Sequence, residues 1–264
     1  MLEIKNIYKT FNPGTINEKV ALNGLSLKLN EGDFVTVIGG NGAGKSTMLN
    51  AVAGVWPVDE GQILIDGTDV TKLSEYKRAA YLGRVFQDPM TGTAATMGIE
   101  ENLALAKRRG KARVLRPGIT KAERAEYQEL LKILDLGLED RLTSKVGLLS
   151  GGQRQALTLL MATLQKPKLL LLDEHTAALD PKTASKVLTI TDKIVNRDHL
   201  TTLMITHNMK DAIAHVNRLI MMMNGKIVLD IQGEEKKKLT VKQLLDKFEE
   251  ASGEEFSNDS AILG

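Results

Sequence analysis

Residues 39–47 read GGNGAGKST, a run of small residues that ends in a lysine and two hydroxyl residues. The run matches in full the phosphate-binding pattern G-x-x-x-x-G-K-[ST], and it lies between an apolar, β-rich stretch (34–38) and a predicted helix. Glycines let backbone N–H groups point at phosphate oxygens, and the helix that follows adds its positive N-terminal end. The stretch therefore predicts a nucleoside-triphosphate site. The alternative is a glycine-rich turn that matches by chance.

Every residue of this loop is expected to lie against the nucleotide. Lys45 should reach the β- and γ-phosphates, and the Ser46 hydroxyl should bind Mg²⁺. Thr47 either bonds a further phosphate oxygen or only forms the first turn of the helix. The predicted binding residues are Gly39, Gly40, Asn41, Gly42, Ala43, Gly44, Lys45, Ser46 and Thr47.

A second stretch, LLLLDE at 169–174, supplies the other half of such a site. Four consecutive leucines predict a strand buried on both faces, which delivers Asp173 to the strand end where open α/β sheets bind ligands. Asp173 is placed to hold Mg²⁺ through water, and Glu174 to orient or deprotonate the attacking water. The motif is weak alone, because buried strands often end in acidic residues, but the phosphate loop upstream makes it strong.

The composition bounds the class of protein. The chain has 264 residues, 42% of them hydrophobic and 26% charged, which suits a soluble globular protein with a substantial core. Its net charge of +2 gives no reason to expect a nucleic-acid partner. Cysteine is absent, which fits a reducing compartment, and the apolar runs are too short to span a membrane. The charged N-terminus is not a secretory signal.

Strand and helix signals alternate along the chain and predict an α/β fold. LEIKN, LSLKL, GQILIDG, RVFQ and TTLMIT read as strands, and Asn224-Gly225 is placed to turn a hairpin. Residues 99–165 have helical texture, with a capping box at Thr120 and Glu123. The predicted fold is a P-loop NTPase core with a mostly parallel sheet, an N-terminal antiparallel β part and an inserted helical subdomain at about 95–165.

The C-terminal part differs in composition from the rest. We divide the chain into an ATPase domain, 1–231, and a polar tail, 232–264, that contains a short helix capped by Thr240 and Gln243. The tail is either a docking appendage or a stabilising flap. We expect it to be dispensable for hydrolysis, because no motif lies beyond residue 207.

A second glycine-rich helix start, LSGGQ at 149–153, requires its own explanation. Ser150 and Gln153 form a capping box for the helix that follows, and this interpretation needs no ligand. A capping box does not need Gly151 and Gly152 in the first turn, however, because each glycine lowers the helix propensity there. The pair of glycines favours a backbone that an anion approaches.

Two further polar residues end predicted strands. His207 follows TTLMIT and either contacts the γ-phosphate and the catalytic water or only caps the next turn, and its position alone favours the cap. Gln87 ends RVFQ and is either functional or a plain turn residue.

Taken together and in this order, the motifs resemble the ATPase subunit of an ABC transporter. The resemblance covers essentially residues 1–231, and LSGGQ between the two NTPase motifs is its most specific element. In that family two subunits pair head to tail, and each signature helix caps the ATP held by the other subunit. The resemblance implies a homodimer when ATP is bound, with Ser150, Gly151, Gly152 and Gln153 acting in trans.

The resemblance also implies roles for single residues. Catalysis falls to Glu174, His207, Lys45 and Gln87, and Mg²⁺ binding to Ser46, Gln87 and Asp173. Asp180, in ALD at 178–180, lies in the loop that crosses the dimer interface. Phe11 is expected to stack on adenine, with Tyr8 as the alternative. His175 departs from the family, which usually has proline there, and it affects the local backbone, the pH response or nothing.

The leading function is therefore an ATP-hydrolysing subunit that powers solute transport through a separate membrane permease, at the cytoplasmic face of the membrane. DEHTAALDP, 173–181, resembles importers of small organic solutes such as amino acids, which implies an extracytoplasmic solute-binding protein as a further partner. The alternative is a soluble ABC-type ATPase in cofactor assembly, cell division or nucleic-acid maintenance. The basic run KRRGKAR, 107–113, either touches RNA or acidic lipid, or is a solvated loop.

Overall fold

The structure, a computed structural model, describes residues 1–111 and 118–252. Within these ranges the chain folds into two sheets with helices around them. The strands are β1 Leu2–Phe11, β2 Lys19–Leu29, β3 Phe34–Ile38, β4 Glu60–Ile65, β5 Thr68–Asp69, β6 Leu82–Val85, β7 Leu169–Asp173, β8 Thr201–Ile205, β9 Arg218–Met223 and β10 Lys226–Gln232. The helices are α1 Lys45–Ala53, α2 Glu75–Arg78, α3 Ile99–Lys107, α4 Lys121–Lys132, α5 Gly151–Thr163, α6 Pro181–Asp198, α7 Met209–Ala214, α8 Gly233–Lys238 and α9 Val241–Ser252.

The larger sheet has the strand order β10-β9-β3-β8-β7-β6. β3, β8, β7 and β6 are parallel, β9 is parallel to β3, and only β10 runs antiparallel to its neighbour. Every residue of β3 and β8 is buried, as the uninterrupted apolar runs predict for strands covered on both faces. Because β3 and β7 flank β8, their carboxyl ends bring the phosphate loop and Asp173 to one edge of the sheet.

The smaller sheet is antiparallel, with the order β2-β1-β4-β5. Its buried side chains, among them Ile4, Leu27 and Ile63, pack with Leu49 and Val52 of α1 in one apolar cluster. This packing places the start of β2 beside the phosphate loop. The predicted N-terminal antiparallel part is confirmed, and so is the mostly parallel core.

The inserted helices α3, α4 and α5 surround an apolar cluster that contains Leu103, Tyr127 and Leu157. The predicted capping box at Thr120 and Glu123 is present at the start of α4. The predicted strand RVFQ is wrong in its bounds, because β6 begins at Leu82 and ends at Val85. The residue that follows leaves the sheet, since its carbonyl accepts a hydrogen bond from the Gln155 side chain of α5.

The basic run is bound to its own chain where the structure describes it. Lys107 forms an ion pair with Glu126, Arg108 donates to the carbonyl of Gly118, and Arg109 donates to the carbonyl of Ala162 at 3.2 Å. These contacts favour a structural role for the three residues. Residues 112 and 113 of the run lie outside the described residues.

The C-terminal segment packs on the body and contains two helices, not the one short helix expected. Leu244 and Phe248 of α9 are buried, and they share an apolar cluster with Ile38 of β3, Met209 of α7 and Ile231 of β10. The segment looked polar because 13 of the 33 residues from 232 to 264 are charged, although the apolar side chains of α9, among them Leu244 and Phe248, lie on one face of that helix. Removal of residues beyond 232 would expose that cluster, so the expectation that the tail is dispensable loses its physical basis.

In the part of the chain that is described, no helix combines the length and the apolar composition needed to cross a bilayer.

Candidate nucleotide site

The phosphate loop ends in a helix start that no side chain caps. α1 begins at Lys45, and its N-cap residue, Gly44, has φ 101°. A Cβ atom at Gly44 would lie 2.5 Å from the carbonyl oxygen of Ala21, so both the backbone conformation and the close approach of β2 require glycine. The first turn of α1 contains no acidic residue. Its N–H groups and its positive end therefore remain available to an anion.

Lys45 folds back over this loop. Its Nζ donates to the carbonyl oxygens of Gly39 at 2.7 Å and Gly40 at 3.1 Å, and the side chain is buried. Burial lowers the pKa of Lys45, while the nearby carboxylates of Glu174 and Asp173 act in the opposite direction. The lysine is thus held at the mouth of the loop, where phosphate oxygens can replace the carbonyl groups as its acceptors.

The loop forms one wall of an open cleft of about 280 Å³. Most of the predicted nucleotide residues come together here, although they come from β1, the loop, β7 and the segment after β8. The residues that line the cleft are Phe11, Lys19, Ala21, Asn41, Gly42, Ala43, Gly44, Lys45, Ser46, Thr47, Glu174 and His207.

An aromatic side chain stands at one end of the cleft. Phe11, the last residue of β1, lines it, and Trp56 packs edge-on against the Phe11 ring, with 5.4 Å between ring centroids and 84° between planes. The Lys9 ammonium lies 5.7 Å from the same ring. Tyr8 is absent from the lining, and its hydroxyl lies against Gly24 instead. The geometry favours Phe11 over Tyr8 as the residue that meets the base.

Glu174 and His207 form the opposite wall. Glu174 directly follows β7 and adopts φ 47°, a left-handed conformation that is uncommon for a glutamate. Its Oε1 atom lies 2.6 Å from Nε2 of His207. Asn208 caps α7 by accepting from the N–H groups of Lys210 and Asp211, so His207 is not needed as a cap. The histidine instead holds the carboxylate at the edge of the cleft.

Asp173 lies just behind this wall and is bound by an arginine. Burial raises the pKa of Asp173, and the nearby Arg84 guanidinium is the main influence that lowers it again. Nη2 of Arg84 lies 3.3 Å from Oδ2 of Asp173 and donates to Oδ1 of Asn50 at 2.7 Å. The carboxylate therefore belongs to a network that joins α1, β6 and β7.

The donors available for Mg²⁺ are few. Ser46 offers a hydroxyl in the first turn of α1 and Asp173 a carboxylate, whereas Gln87 is exposed and does not line the cleft. Across residues 1–111 and 118–252, no three carboxylate or imidazole side chains cluster as a metal site would require. This donor set fits Mg²⁺, which keeps several waters and binds through one or two protein oxygens together with substrate phosphates.

The side chains of the signature stretch, LSGGQ at 149–153, cap the start of their own helix. Ser150 Oγ accepts from the N–H of Gln153 at 3.2 Å, and Oε1 of Gln153 accepts from the N–H of Ser150 at 3.1 Å. Gly152 is buried, and a Cβ atom there would lie 2.1 Å from Cγ2 of Thr183 in α6. Gly151 is exposed. Contact with α6 of the same chain therefore requires glycine at 152 without any ligand, so the presence of Gly152 is not by itself evidence for an anion there.

None of the signature residues lines the cleft of its own chain. Asp180 likewise stays outside it and caps α6, where its Oδ1 accepts from the N–H of Thr183 at 3.1 Å. Pro181 occupies the first position of that helix, as the sequence predicts.

His175 is a buried structural residue. Its Nε2 lies 3.1 Å from Oγ1 of Thr191 in α6, and that hydroxyl donates to the carbonyl oxygen of Val187 at 2.9 Å. The hydroxyl hydrogen is thus already used, so the imidazole Nε2 donates. Burial lowers the pKa of His175 to about 4. The ring is uncharged near neutral pH, which removes a pH response in that range from its expected effects.

Sequence reasoning missed two cations at the site. The Lys19 ammonium lies 3.2 Å from where a Cβ atom of Gly42 would be, at the lip of the phosphate loop. Arg84 reaches the metal-side carboxylate from the neighbouring strand. A charged residue inside the strand LGRV was a usable signal for Arg84, whereas nothing near Lys19 in the sequence marks its approach to the loop.

Comparison with known proteins identifies the family. Residues 22–177, more than half of the chain, match the family described as ABC transporter. The chain belongs to the ABC transporter family. A "Tyrosine transport ATP-binding protein" of Clostridioides difficile is 48% identical to it over 95% of this chain and 100% of the relative. The "Methionine import ATP-binding protein MetN" of Rhizobium etli is 37% identical over 79% of this chain, and the chain spans 56% of that relative.

Solved structures of ABC cassettes share the fold. The dimeric MJ0796 cassette in a post-hydrolysis state bound to ADP and Pi has a TM-score of 0.74 and 30% identity, and the match covers 88% of this chain and 98% of that one. The chain is accordingly an ATP-binding subunit of an ABC transporter. It hydrolyses ATP to drive solute transport through a membrane permease.

Proposed function

We propose that this subunit powers the uptake of a small organic solute of the amino-acid class. The relative named for tyrosine transport matches it over nearly the whole chain, and another relative is named for methionine import. We propose that it lies at the cytoplasmic face of the membrane and that a solute-binding protein delivers the solute to its permease.

The observation that carries the catalytic part of the proposal is the Glu174–His207 pair on the wall of the phosphate-loop cleft. Glu174 acts as the base that orients or deprotonates the attacking water, and His207 holds its carboxylate in place. Lys45 binds the terminal phosphates, and Phe11 stacks on adenine. Gln87, which is exposed after the end of β6, couples the state of the nucleotide site to the permease.

Ser46 and Asp173 are the residues that would hold Mg²⁺, and Gln87, which does not line the cleft, would join them only by moving toward the ion. When bound, the ion neutralises part of the phosphate charge. The chain's own contribution is to keep a hydroxyl and a carboxylate at the edge of the sheet, one after β3 and the other at the end of β7.

We further propose that two copies pair head to tail around ATP. The exposed part of the signature, Ser150 and Gly151, then approaches the phosphates bound by the partner, and the Asp180 loop crosses the interface. The dimeric state of the MJ0796 cassette supports this arrangement. The capping box remains in place, because it uses the N–H groups of Ser150 and Gln153 and leaves those of Gly151 and Gly152 free.

Replacement of the base tests the catalytic proposal. Glu174→Gln is expected to bind ATP and to lower turnover by ~10²–10⁴-fold, because the base is lost and the phosphate loop is kept. An ATP-dependent dimer should accumulate and be visible by size-exclusion chromatography. Glu60→Gln, an exposed glutamate of β4, is the matched control and should hydrolyse normally. Near-normal hydrolysis by Glu174→Gln would contradict the assignment.

Mixed dimers test the trans arrangement. Gly151→Asp is the better probe than a change at Gly152, because a side chain at 151 meets only Leu179 Cδ2 at 3.3 Å within the chain. A dimer of one Gly151→Asp chain and one Lys45→Ala chain has one doubly damaged site and one intact site if the signature acts in trans. One retained ATP per dimer is the expected result. Two weakened sites would return the signature to a capping role only.

Uptake measurements test the solute class. Cells that lack this subunit should lose uptake of labelled tyrosine or methionine, and the wild-type chain should restore it while Glu174→Gln does not. Unchanged uptake of these and other amino acids would contradict the proposed solute class.

A further inference from the structure

Arg84 lies at the nucleotide site, but the roles proposed above for nucleotide binding, metal binding and hydrolysis do not involve it. It lies on β6, in register with Leu171 of the neighbouring β7, so its side chain can run along the sheet edge to the end of β7. Its side chain is 14% exposed and that of Asp173 17% exposed. An arginine with so little exposed surface is uncommon unless it is paired, so its partners indicate what holds it here.

Three contacts hold the guanidinium. Nη2 donates to Asn50 Oδ1 at 2.7 Å and to Asp173 Oδ2 at 3.3 Å, and the group lies 4.6 Å from the centroid of the Phe86 ring. Its Nε is buried and has no hydrogen-bond partner among the described residues. Asn50 follows Ser46 by one helical turn on α1, so Arg84 bridges the helix that carries the Ser46 hydroxyl and the strand that carries the carboxylate.

The two cations near Asp173 have different partners. Lys45 donates to carbonyl groups of its own loop, whereas Arg84 is the cation in contact with the carboxylate. A bare divalent ion that approached Asp173 would therefore meet a fixed positive charge a few ångströms away, in a partly buried place where screening is weak. An ion that arrives with a nucleoside triphosphate brings an excess of negative charge, and the same arginine then no longer repels it.

We propose that Arg84 is a positioning residue that makes Asp173 a ligand for Mg²⁺ only in company with a nucleotide. In the nucleotide-free chain it occupies one oxygen of the carboxylate and balances its charge. This inference rests on the proposed metal role of Asp173. It adds that the site excludes free divalent cations, which protects the empty subunit from retaining a metal in the wrong place.

The test is a titration of the nucleotide-free protein with Mn²⁺. Electron paramagnetic resonance measures the concentration of free Mn²⁺ at each step. Wild type should bind Mn²⁺ weakly. Arg84→Met should bind it at least about tenfold more tightly, because the repelling charge is gone. Arg84→Lys should resemble wild type, and Arg84→Met with Asp173→Asn should lose the gain. Arg218→Met is the matched control, since Arg218 pairs with Asp230 on β10 and should leave Mn²⁺ affinity unchanged.

An equal affinity of folded Arg84→Met and wild type would overturn the proposal, as would a gain that survives Asp173→Asn. Arg84→Gln serves as the second variant if Arg84→Met does not unfold cooperatively. The titration contains no nucleotide, so it is separate from the proposed ATPase chemistry. Failure of Glu174→Gln to stop turnover would refute the assignment of the base and leave the Mn²⁺ result standing.

Discussion

The chain begins two helices with glycine-rich stretches, and the two starts are built on opposite principles. At α1 the backbone conformation alone forms the helix start: Gly44 has φ 101°, no side chain caps the helix, and the first N–H groups remain without a side-chain acceptor. At α5 side chains form the helix start, because Ser150 and Gln153 each accept a hydrogen bond from the other's backbone N–H. Gly152 allows the close approach of α6. A glycine-rich helix start is thus a ready anion site within its own chain in the first case, whereas the second start lies outside that cleft and meets a phosphate only under the proposed head-to-tail pairing.

The strongest test of this contrast is Gly44→Ala. The added methyl group would meet the Ala21 carbonyl at 2.5 Å in a backbone conformation that disfavours alanine, so the loop must rearrange. We expect ATP affinity to fall by roughly a hundredfold or more, since phosphate contacts need the N–H groups in place. Binding of a fluorescent ATP analogue measures the loss. Gly118→Ala, outside the cleft, has open space around its Cβ and no positive φ, and it serves as the control.

The second test concerns the hydrogen bond from His175 to Thr191, which holds α6 in place. The signature helix α5 packs against α6. His175→Ala should lower the free energy of unfolding by ~2–4 kcal/mol, because it leaves a cavity and removes the donor to Thr191. Thr191→Val should cost less, about 1 kcal/mol, and the two changes should not add, since they share one hydrogen bond. Urea unfolding of the two single variants and the double variant measures this. Full additivity would contradict the contact.

The third test compares the two signature glycines directly. Helix propensity alone predicts that alanine stabilises either position by ~1 kcal/mol. Gly151→Ala should follow that rule, but Gly152→Ala should destabilise by ~1–3 kcal/mol because its methyl group meets Thr183 Cγ2. Thr183→Ser removes that methyl group and should rescue Gly152→Ala. Equal behaviour of the two glycines in urea unfolding would show that α6 does not impose the requirement.

The smallest effect is expected at the lip of the phosphate loop. Lys19→Met should weaken ATP binding by roughly three- to tenfold, because a charge-assisted contact to a phosphate oxygen is worth about 1 kcal/mol net. Lys28→Met is the matched control, since Lys28 lies at the far end of β2 and pairs with Glu3. Identical affinity of Lys19→Met and wild type would leave the loop as the only phosphate contact on this side.

Predictions that depend on local chemistry were confirmed. The Asn224-Gly225 hairpin, the cap at Asp180 with Pro181, and the capping box at Ser150 all appear where the sequence places them. Each depends on residues within a few positions of one another, so the order of residue types is enough to specify it. The parallel core also follows from local signals, because uninterrupted apolar strands must be covered on both faces.

What the sequence could not show depends on distances between segments far apart in the chain. Thr183 explains Gly152, Ala21 explains Gly44, and Asp173 is held by Arg84, yet no periodic pattern links the members of these pairs. The left-handed backbone of Glu174 is hidden for a related reason. It arises where β7 ends beside β8, and its N–H is fixed by the carbonyl of Ile205.

The contact between Phe11 and Trp56 has a practical consequence. Trp56 is the single tryptophan of the chain, it is 41% exposed, and its ring packs against the ring of Phe11. Excitation that selects tryptophan over the four tyrosines therefore probes one place only, the Phe11 end of the cleft. Under the proposal that Phe11 stacks on adenine, Trp56 is an intrinsic optical reporter of nucleotide occupancy, and its emission is expected to follow the arrival and departure of unlabelled ATP in real time.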